Sequence, residues 1–310
     1  VCPVGALTNK VFRYKARAWE LTARQSIGYH DALGSNLYLH SHRGEVVRSV
    51  PRDNEAVNEC WLSDRDRYSH QALYSADRAK QPMLKDNGVW RDASWDEALD
   101  AAAGALKTAT PAQLGFLGHP ASSNEEGFML ARLAQALGTG NIDHRIKQLD
   151  FADNAVAEAF DIPVSEIANA GDIVLVGCNI RHEMPLLHQR IHQAVKRGAR
   201  VHAINPVDFD FSFSTATKAI VPPSQLASRL KAFGDALTAD TGSVVVLGEI
   251  AENHGNASHI RAVATALRQA GKIKLCRLPQ GANAIGLAGL GVLPEAGGKH
   301  ADAMLDGSMK

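Results

Sequence analysis

A parallel α/β sheet with helices on both faces, preceded by a small β-containing domain, is the fold that this sequence predicts. In the second half of the chain, short apolar runs of strand length alternate with segments of helical period. In the first half, alternating apolar positions flank an Arg-Gly turn, which is typical of a β-hairpin over residues 37–50. Strand–helix alternation needs crossover connections, and these favour a parallel, Rossmann-like sheet.

The larger domain opens with a connector and a well-marked helix. Residues 80–91 are expected to form the connector, with an edge hairpin. Ser94 is a favourable N-cap, and Glu97 three residues later predicts a capping box at the start of a helix. A strand over residues 113–118 follows, and then a helix over residues 124–137 that a glycine ends.

The parallel sheet itself is predicted from four apolar runs. These strands cover residues 172–177, 200–204, 244–247 and 273–276. Between them we expect helices over residues 185–197 and 258–270. Runs of this kind are typical of strands that are covered on both faces, so helices are expected on each side of the sheet.

Composition excludes several classes of function. The 310 residues are 45% hydrophobic and 21% charged, and Lys+Arg and Asp+Glu balance at 33 each. This balance favours neither nucleic acid nor an anionic membrane surface as a partner. No apolar run approaches the ~20 residues that span a bilayer, so direct membrane insertion is not expected. The four cysteines are widely spaced, which argues against a local zinc site and a disulfide framework.

The first residues carry the most specific motif. Cys2 is followed by Pro3, as in the last ligand of a ferredoxin-type four-iron cluster, although a buried structural cysteine would also fit this pair. The strings over residues 2–10 and 12–21 are longer and more specific. They resemble the end of the cluster-binding segment and the linker in the large iron–sulfur subunit of respiratory complex I, which is NADH:quinone oxidoreductase.

The resemblance implies a division into three parts. Residues 1–16 would be the end of a 4Fe–4S ferredoxin-like segment. Residues 17–75 would be a 4Fe–4S domain of the molybdopterin oxidoreductase type that lacks its cluster cysteines. Residues 76–310 would be a molybdopterin oxidoreductase-like α/β domain. Because the sequence opens inside a motif, we expect it to be a piece of a longer chain, and we expect the last domain to be truncated.

The second domain has lost the residues that would hold its own cluster. Relatives carry three closely spaced cysteines where residues 26–36 here contain none, and Ser63 stands at the expected fourth ligand position. Cys60 and His30 are too few ligands for a closed metal site. Our interpretation is that Cys60 packs as a small hydrophobe and that His30 caps a turn.

A second motif follows the first strand of the sheet. Residues 177–185 lie where open α/β sheets bind ligands, and in catalytic relatives a similar segment lines the pterin-dinucleotide site. Asn205 and residues 281–286 resemble further elements of that pocket. No G-x-G-x-x-G is present, so the pattern does not favour a nicotinamide cofactor.

No convincing metal ligand or catalytic residue stands out. Three aspartates lie where a molybdenum ligand would be sought, but on a loop or helix face they are expected to be solvated. They are Asp143, Asp150 and Asp153. His188 and His192 have the helical spacing of a zinc pair, yet no glutamate lies between them and no third ligand is apparent. We interpret them as a surface or interface pair, and we assign no acid–base or nucleophilic residue.

The resemblance implies an electron-transfer role. The chain would belong to the peripheral arm of complex I, which passes electrons from NADH to quinone through iron–sulfur clusters, and this region would act mainly as scaffold without an independent active site. Cys2 would be a ligand of a 4Fe–4S cluster in the full-length chain. Its three partner ligands would lie upstream, so the fragment alone is not expected to hold the cluster, and bound molybdopterin is not expected.

The same resemblance implies partners and location. The partners would be other peripheral-arm subunits, and the location would be the cytoplasmic face of a bacterial inner membrane or the matrix face of the mitochondrial one. Two alternatives stay open. The first is a fragment of a catalytic molybdopterin oxidoreductase of the formate dehydrogenase or nitrate reductase type, which would hold molybdenum or tungsten. The second is a purely structural α/β interaction module.

Overall fold

The small domain is built on an antiparallel sheet. The computed structural model describes residues 6–238 and 242–306, so Cys2 lies outside the described residues. The sheet contains β1 (Thr22–Ile27), β2 (Asn36–His42) and β3 (Glu45–Pro51). Arg43 and Gly44 both have positive φ, at 51° and 85°, as a tight hairpin turn between twisted strands requires. The predicted hairpin is confirmed, and α1 (Asp64–Tyr68) packs against β3.

The connector and the first helix follow as predicted, with one change at the cap. β4 (Met83–Asp86) and β5 (Val89–Asp92) form the expected hairpin, and α2 covers Trp95–Thr108. Ser94 Oγ accepts the Glu97 N–H at 3.1 Å. The Glu97 carboxylate turns to the Arg91 guanidinium, so this pairing replaces the second half of the predicted capping box.

The segment before the main sheet contains a short parallel pair. β6 (Phe116–Leu117) pairs with β7 (Ile142–Asp143), and α3 (Asn124–Ala136) connects them. The predicted strand over residues 113–118 is shorter because Pro111–Gln113 forms a 3-10 turn. The predicted α3 is confirmed. Its start carries a complete capping box, in which Ser123 and Glu126 satisfy each other's backbone N–H.

Five parallel strands form the main sheet. They are β8 (Asp172–Val176), β9 (Arg200–Asn205), β10 (Thr217–Ile220), β11 (Val244–Leu247) and β12 (Lys274–Arg277). Their order is β10-β9-β8-β11-β12, so the first strand in the chain is central. From β8 the chain first adds β9 and β10 on one side, and then adds β11 and β12 on the other side. The strand order therefore reverses between β8 and β11, and this position is the switch point of the sheet.

Helices cover both faces of this sheet. They are α4 (Ile180–Glu183), α5 (Pro185–Lys196), α6 (Leu226–Asp235), α7 (Glu249–Glu252) and α8 (Ala257–Gln269). Two further helices lie beside the short β6–β7 pair: α9 (Ala284–Gly289) packs against α3, and the first N–H of α10 (Ala301–Leu305) donates to Asp143. Leu187 and Ile191 of α5 are fully buried on one face, and Leu230 and Ile260 are buried on the other. Burying each such side chain contributes about 2 kcal/mol, so the sheet and its two helical layers form the main core.

The predicted fold class is confirmed, but the sequence analysis missed β1, β7 and, in the main sheet, β10. β10 (Thr217–Ile220) is an edge strand whose residues are half-buried or exposed, so it shows no continuous apolar run. Within residues 6–238 and 242–306, no helix is long and apolar enough to cross a membrane.

Candidate functional site

A cleft opens at the carboxyl ends of the central strands. Its volume is about 1230 Å³, and it lies between the small domain and the loops that follow β8, β11 and β12. Tyr29, His30 and Arg65 line it from the small domain, and Asn179 and Glu249 line it from the sheet. Open α/β sheets bind ligands at such a switch point, so this cleft is the candidate site.

Two glycines bring the loops of the cleft together. Gly177 has a φ of +52°, and a Cβ there would lie 2.5 Å from the Ala251 backbone nitrogen. A Cβ on Gly248 would overlap the Cys178 Cα. Approaches this close leave no space for a side chain, so the loops after β8 and β11 pack backbone against backbone.

The Glu183 carboxylate lies at this crossing and joins the two loops. Its Oε1 accepts the Asn179 N–H at 2.5 Å, and its Oε2 accepts the Glu249 N–H at 2.7 Å. Burial raises the pKa of Glu183, although the two backbone N–H groups act in the opposite direction. Glu183 lies inside the motif over residues 177–185, but the sequence analysis assigned it no role, because one of its partners is 66 residues away.

Three further backbone donors of these loops also have internal acceptors. The Cys178 N–H donates to Asn205 Oδ1 at 2.7 Å, and the Ile250 N–H donates to the Gly177 carbonyl at 3.0 Å. The Gly248 N–H donates to the carbonyl of Val176 at 3.0 Å. These N–H groups therefore connect the loops to each other and do not project into the cleft.

The other residues predicted for the pocket also connect loops. The Asn205 side chain holds the Cys178 N–H, and its Nδ2 donates to the Cys178 carbonyl. Asn283 Nδ2 donates to the Ser122 carbonyl at 2.8 Å and to Asn124 Oδ1 at 2.9 Å. The structure places Gly281 at the cleft, as the sequence pattern suggested, while the amides of Asn205 and Asn283 are used within the chain.

The three aspartates expected to be solvated are in part buried. Asp143 has no exposed surface, and its carboxylate accepts both the Arg145 guanidinium and the Ala301 N–H. Burial would raise the pKa of Asp143, but the Arg145 bonds outweigh it and hold that pKa below its usual range. Asp150 is also buried, and Asp153 pairs with Arg261. The expectation of solvated carboxylates was therefore wrong for Asp143 and Asp150.

The predicted histidine pair is not a surface pair. His188 is buried, and its Nε2 lies 2.5 Å from the Phe211 carbonyl oxygen. Its ring stacks on Phe213, and burial lowers the pKa of His188. His188 therefore packs among buried aromatic residues, and a zinc role for His188 and His192 finds no support.

A carboxylate lies between Gly28 and Ser63, in the region where the resemblance implies that cluster cysteines are missing. A Cβ on Gly28 would lie 2.8 Å from Asp66 Oδ2, and Ser63 Oγ lies 2.8 Å from the same oxygen. Ser63 also accepts the Asp66 N–H and is the N-cap of α1. The position predicted for a fourth cluster ligand is thus used to begin a helix.

Two smaller interpretations for this domain were wrong. Cys60 is exposed and does not pack as a hydrophobe. The turn that follows His30 is capped by Asp31, whose Oδ1 accepts the Leu33 N–H at 3.0 Å. Across the described part of the chain, no three His, Cys, Asp or Glu side chains come together in a way that could hold a metal ion.

Comparison with known families shows to which family this chain belongs. Residues 78–306 match the family model described as molybdopterin oxidoreductase. The chain belongs to this family. Residues 21–71 match a second model, described as the 4Fe-4S domain of NADH-ubiquinone oxidoreductase of the NDSU1/NuoG-like type. The two models lie next to each other along the chain, one on each domain.

Curated relatives carry related names. The chain is 38% identical over 202 residues to an NADH-quinone oxidoreductase subunit of Rickettsia felis, covering 64% of this chain and 30% of that protein. It is 32% identical over 255 residues to the mitochondrial iron-sulfur protein 1 of NADH dehydrogenase [ubiquinone] from Solanum tuberosum, covering 80% of this chain and 34% of that protein. The chain thus spans about a third of the length of these relatives.

Among solved structures, acetylene hydratase from Pelobacter acetylenicus has a TM-score of 0.45 and 15% identity. The similarity covers 88% of this chain and 38% of that one.

Two cofactors that molybdopterin oxidoreductases imply can be tested against these residues. A four-iron cluster in the small domain does not fit, because residues 26–36 contain no cysteine and Ser63 begins α1. The phosphates of a pterin dinucleotide do not fit at the switch point either. The backbone N–H groups of Asn179 and Glu249, which follow the two strands that flank the switch point, already bind the Glu183 carboxylate and are not free to receive a phosphate.

Proposed function

We propose that this chain is part of the peripheral arm of an NADH:quinone oxidoreductase, in which the full-length protein passes electrons from NADH to quinone through iron–sulfur clusters. One observation carries the proposal: a NuoG-like 4Fe-4S domain at residues 21–71 is followed directly by a molybdopterin oxidoreductase domain at residues 78–306. Curated relatives that match 64% and 80% of this chain carry the names of NADH-quinone oxidoreductase and NADH dehydrogenase subunits. Other peripheral-arm subunits are the proposed partners.

Within that protein, the described region would act mainly as scaffold. The proposed parts are the end of a ferredoxin-like segment at residues 1–16, the small domain at 17–75 and the α/β domain at 76–310. Two observations support the scaffold role. The backbone donors of Asn179 and Glu249 at the switch point are used internally, and the described residues bring together no group of three His, Cys, Asp or Glu side chains that could hold a metal ion. On the same grounds we propose that the cleft holds no molybdopterin.

Cys2 is the proposed cluster ligand, and it acts outside the described residues. Its thiolate would hold one iron of a 4Fe–4S cluster that supplies one-electron transfer when the full-length chain is assembled. Pro3 follows it, which removes a backbone N–H and fixes φ next to the ligand. The assembled protein would lie on the cytoplasmic face of a bacterial inner membrane or the matrix face of a mitochondrial one.

The test compares two cysteine variants in the full-length chain that contains this sequence. Cys2→Ala should remove one four-iron cluster, seen as a loss of about four iron atoms and of one low-temperature EPR signal. Cys60→Ala is the matched control, because Cys60 is exposed and should leave both readouts unchanged. Unchanged iron and EPR signals in Cys2→Ala would contradict the ligand assignment and favour a structural module.

A metal analysis tests the alternative. Stoichiometric molybdenum or tungsten in the full-length protein would overturn the complex I proposal in favour of a catalytic molybdopterin oxidoreductase. The expected result is iron without either metal.

A further inference from the structure

We propose that Glu183 excludes anionic ligands from the cleft, because its carboxylate occupies the backbone N–H groups that a phosphate would need. This inference rests on the proposed scaffold role and assigns it to a specific side chain. The two donors, Asn179 and Glu249, belong to the loops after β8 and β11, the neighbouring strands on either side of the switch point. A carboxylate has two oxygens, and here each oxygen accepts the N–H of one of the two loops.

The local chain conformation makes this possible. α4 is a single turn, Ile180–Glu183, and it returns the Glu183 side chain to the Asn179 N–H four residues earlier. The close approach of Gly177 to Ala251 brings the Glu249 N–H within 2.7 Å of the same carboxylate. The anion at these two N–H groups is therefore the chain's own Glu183 carboxylate, which is held by two charge-assisted hydrogen bonds.

The charges around the cleft support exclusion of anions. Three cationic side chains line it, and each is paired with a carboxylate. The pairs are Arg65 with Asp31 at 3.6 Å, Lys147 with Glu249 at 2.6 Å, and Arg181 with Asp210 at 2.9 Å. A second anion placed beside Glu183 would meet a like charge in a partly buried site without a free cation among these three. The cleft is consequently selective against phosphate-bearing ligands.

The experiment uses the 310-residue chain labelled with ¹⁵N and titrated with inorganic pyrophosphate. In the wild-type chain, the amide resonances of Asn179 and Glu249 should show no saturable shift. In Glu183→Ala the two N–H groups are released, and the same resonances should shift with saturation. Two backbone donors become available to the anion, so we expect the shifts to saturate at a pyrophosphate concentration at least about tenfold lower than any at which the wild-type chain responds.

Glu249→Gln is the matched control. It removes one negative charge from the same cleft and frees Lys147, but it leaves both N–H groups bound to Glu183. Its pyrophosphate affinity should rise by less than about threefold, since surface pairs contribute little. Equal gains in Glu183→Ala and Glu249→Gln would overturn the proposal, because the effect would then be one of net charge alone.

Two further outcomes decide the question. Saturable shifts at Asn179 and Glu249 in the wild-type chain would overturn the role of Glu183, while the iron and EPR readouts of the Cys2 variant would be unaffected. If Glu183→Ala does not fold, the isosteric Glu183→Gln replaces it, because the introduced amide has one acceptor oxygen and releases one of the two N–H groups. Pyrophosphate should then shift one of the two resonances, and the absence of any shift would contradict the proposal.

Discussion

The guanidinium of Arg190, in α5, lies against the carboxylate of Glu59 in the small domain, 131 residues earlier in the chain. Arg190 also donates to the carbonyl of Glu55, and Gln193 Nε2 donates to both Glu59 oxygens at 3.1 and 3.2 Å. Arg190 is buried, so this network is shielded from solvent. It connects the small domain to the α/β domain.

Arg190→Ala should therefore destabilise the chain. The substitution leaves Glu59 with its charge in a mostly buried position, and we expect the free energy of unfolding to fall by about 3 kcal/mol in chemical denaturation. Arg181→Ala is the matched control, because Arg181 and Asp210 form an exposed pair whose loss should leave that free energy nearly unchanged. Equal effects of the two substitutions would contradict the assignment of Arg190 as the residue that joins the domains.

Asp31 should make the small domain less stable as the pH rises. Burial raises the pKa of Asp31 to about 6, and Asp66 adds to the effect, while the Leu33 N–H and Arg65 oppose it. The unfolded pKa is about 3.9. The folded value is the higher one, so the stabilising contribution is fully present below about pH 4 and is lost as the pH rises to about 6.

Asp31→Asn should accordingly stabilise the chain at pH 7.5. The Asn amide oxygen can still accept the Leu33 N–H, and the buried charge is removed, so we expect a gain of up to about 3 kcal/mol. This gain in the free energy of unfolding should shrink as the pH falls to about 4. Chemical denaturation at several pH values measures it. Asp53→Asn, at an exposed aspartate of the same domain, should change nothing. A less stable Asp31→Asn variant at pH 7.5 would show that the Arg65 pairing dominates.

The contribution of Asp143 to stability should have the opposite pH dependence. The Arg145 guanidinium and the Ala301 N–H hold its folded pKa below the unfolded value, against the effect of burial. Its contribution to stability is therefore present above about pH 4 and is lost as the pH falls through the lowered folded value. Asp143→Asn should cost about 3 kcal/mol at pH 7, because it removes one partner of a buried, hydrogen-bonded ion pair.

The measurement for Asp143→Asn is the free energy of unfolding at pH 7 and at pH 3. The difference from the wild-type chain should narrow at pH 3, because the Asp143 carboxyl of the unfolded chain, with a pKa of about 3.9, is largely protonated there. If the free energies of unfolding of Asp143→Asn and the wild-type chain differ by the same amount at both pH values, Asp143 stabilises the chain through its shape and not through its charge.

The sequence by itself determined the elements whose signals are local. The capping box of Ser123 and Glu126, the Arg43-Gly44 turn and the apolar strands of the main sheet were all predictable. Each depends on residues a few positions apart, or on a run that is buried on both faces. The family resemblance also came from short strings of this kind.

The tertiary structure alone decided which distant residues meet. The edge strand β10 escaped prediction because it is half exposed and has no apolar run. Asp143 and His188 look like ordinary surface residues in the sequence, and only the packing of β7 and α5 buries them. Glu183 acquires its role from a loop 66 residues away. That contact exists because β11 inserts next to β8, and strand order in a parallel sheet is a property of the whole chain.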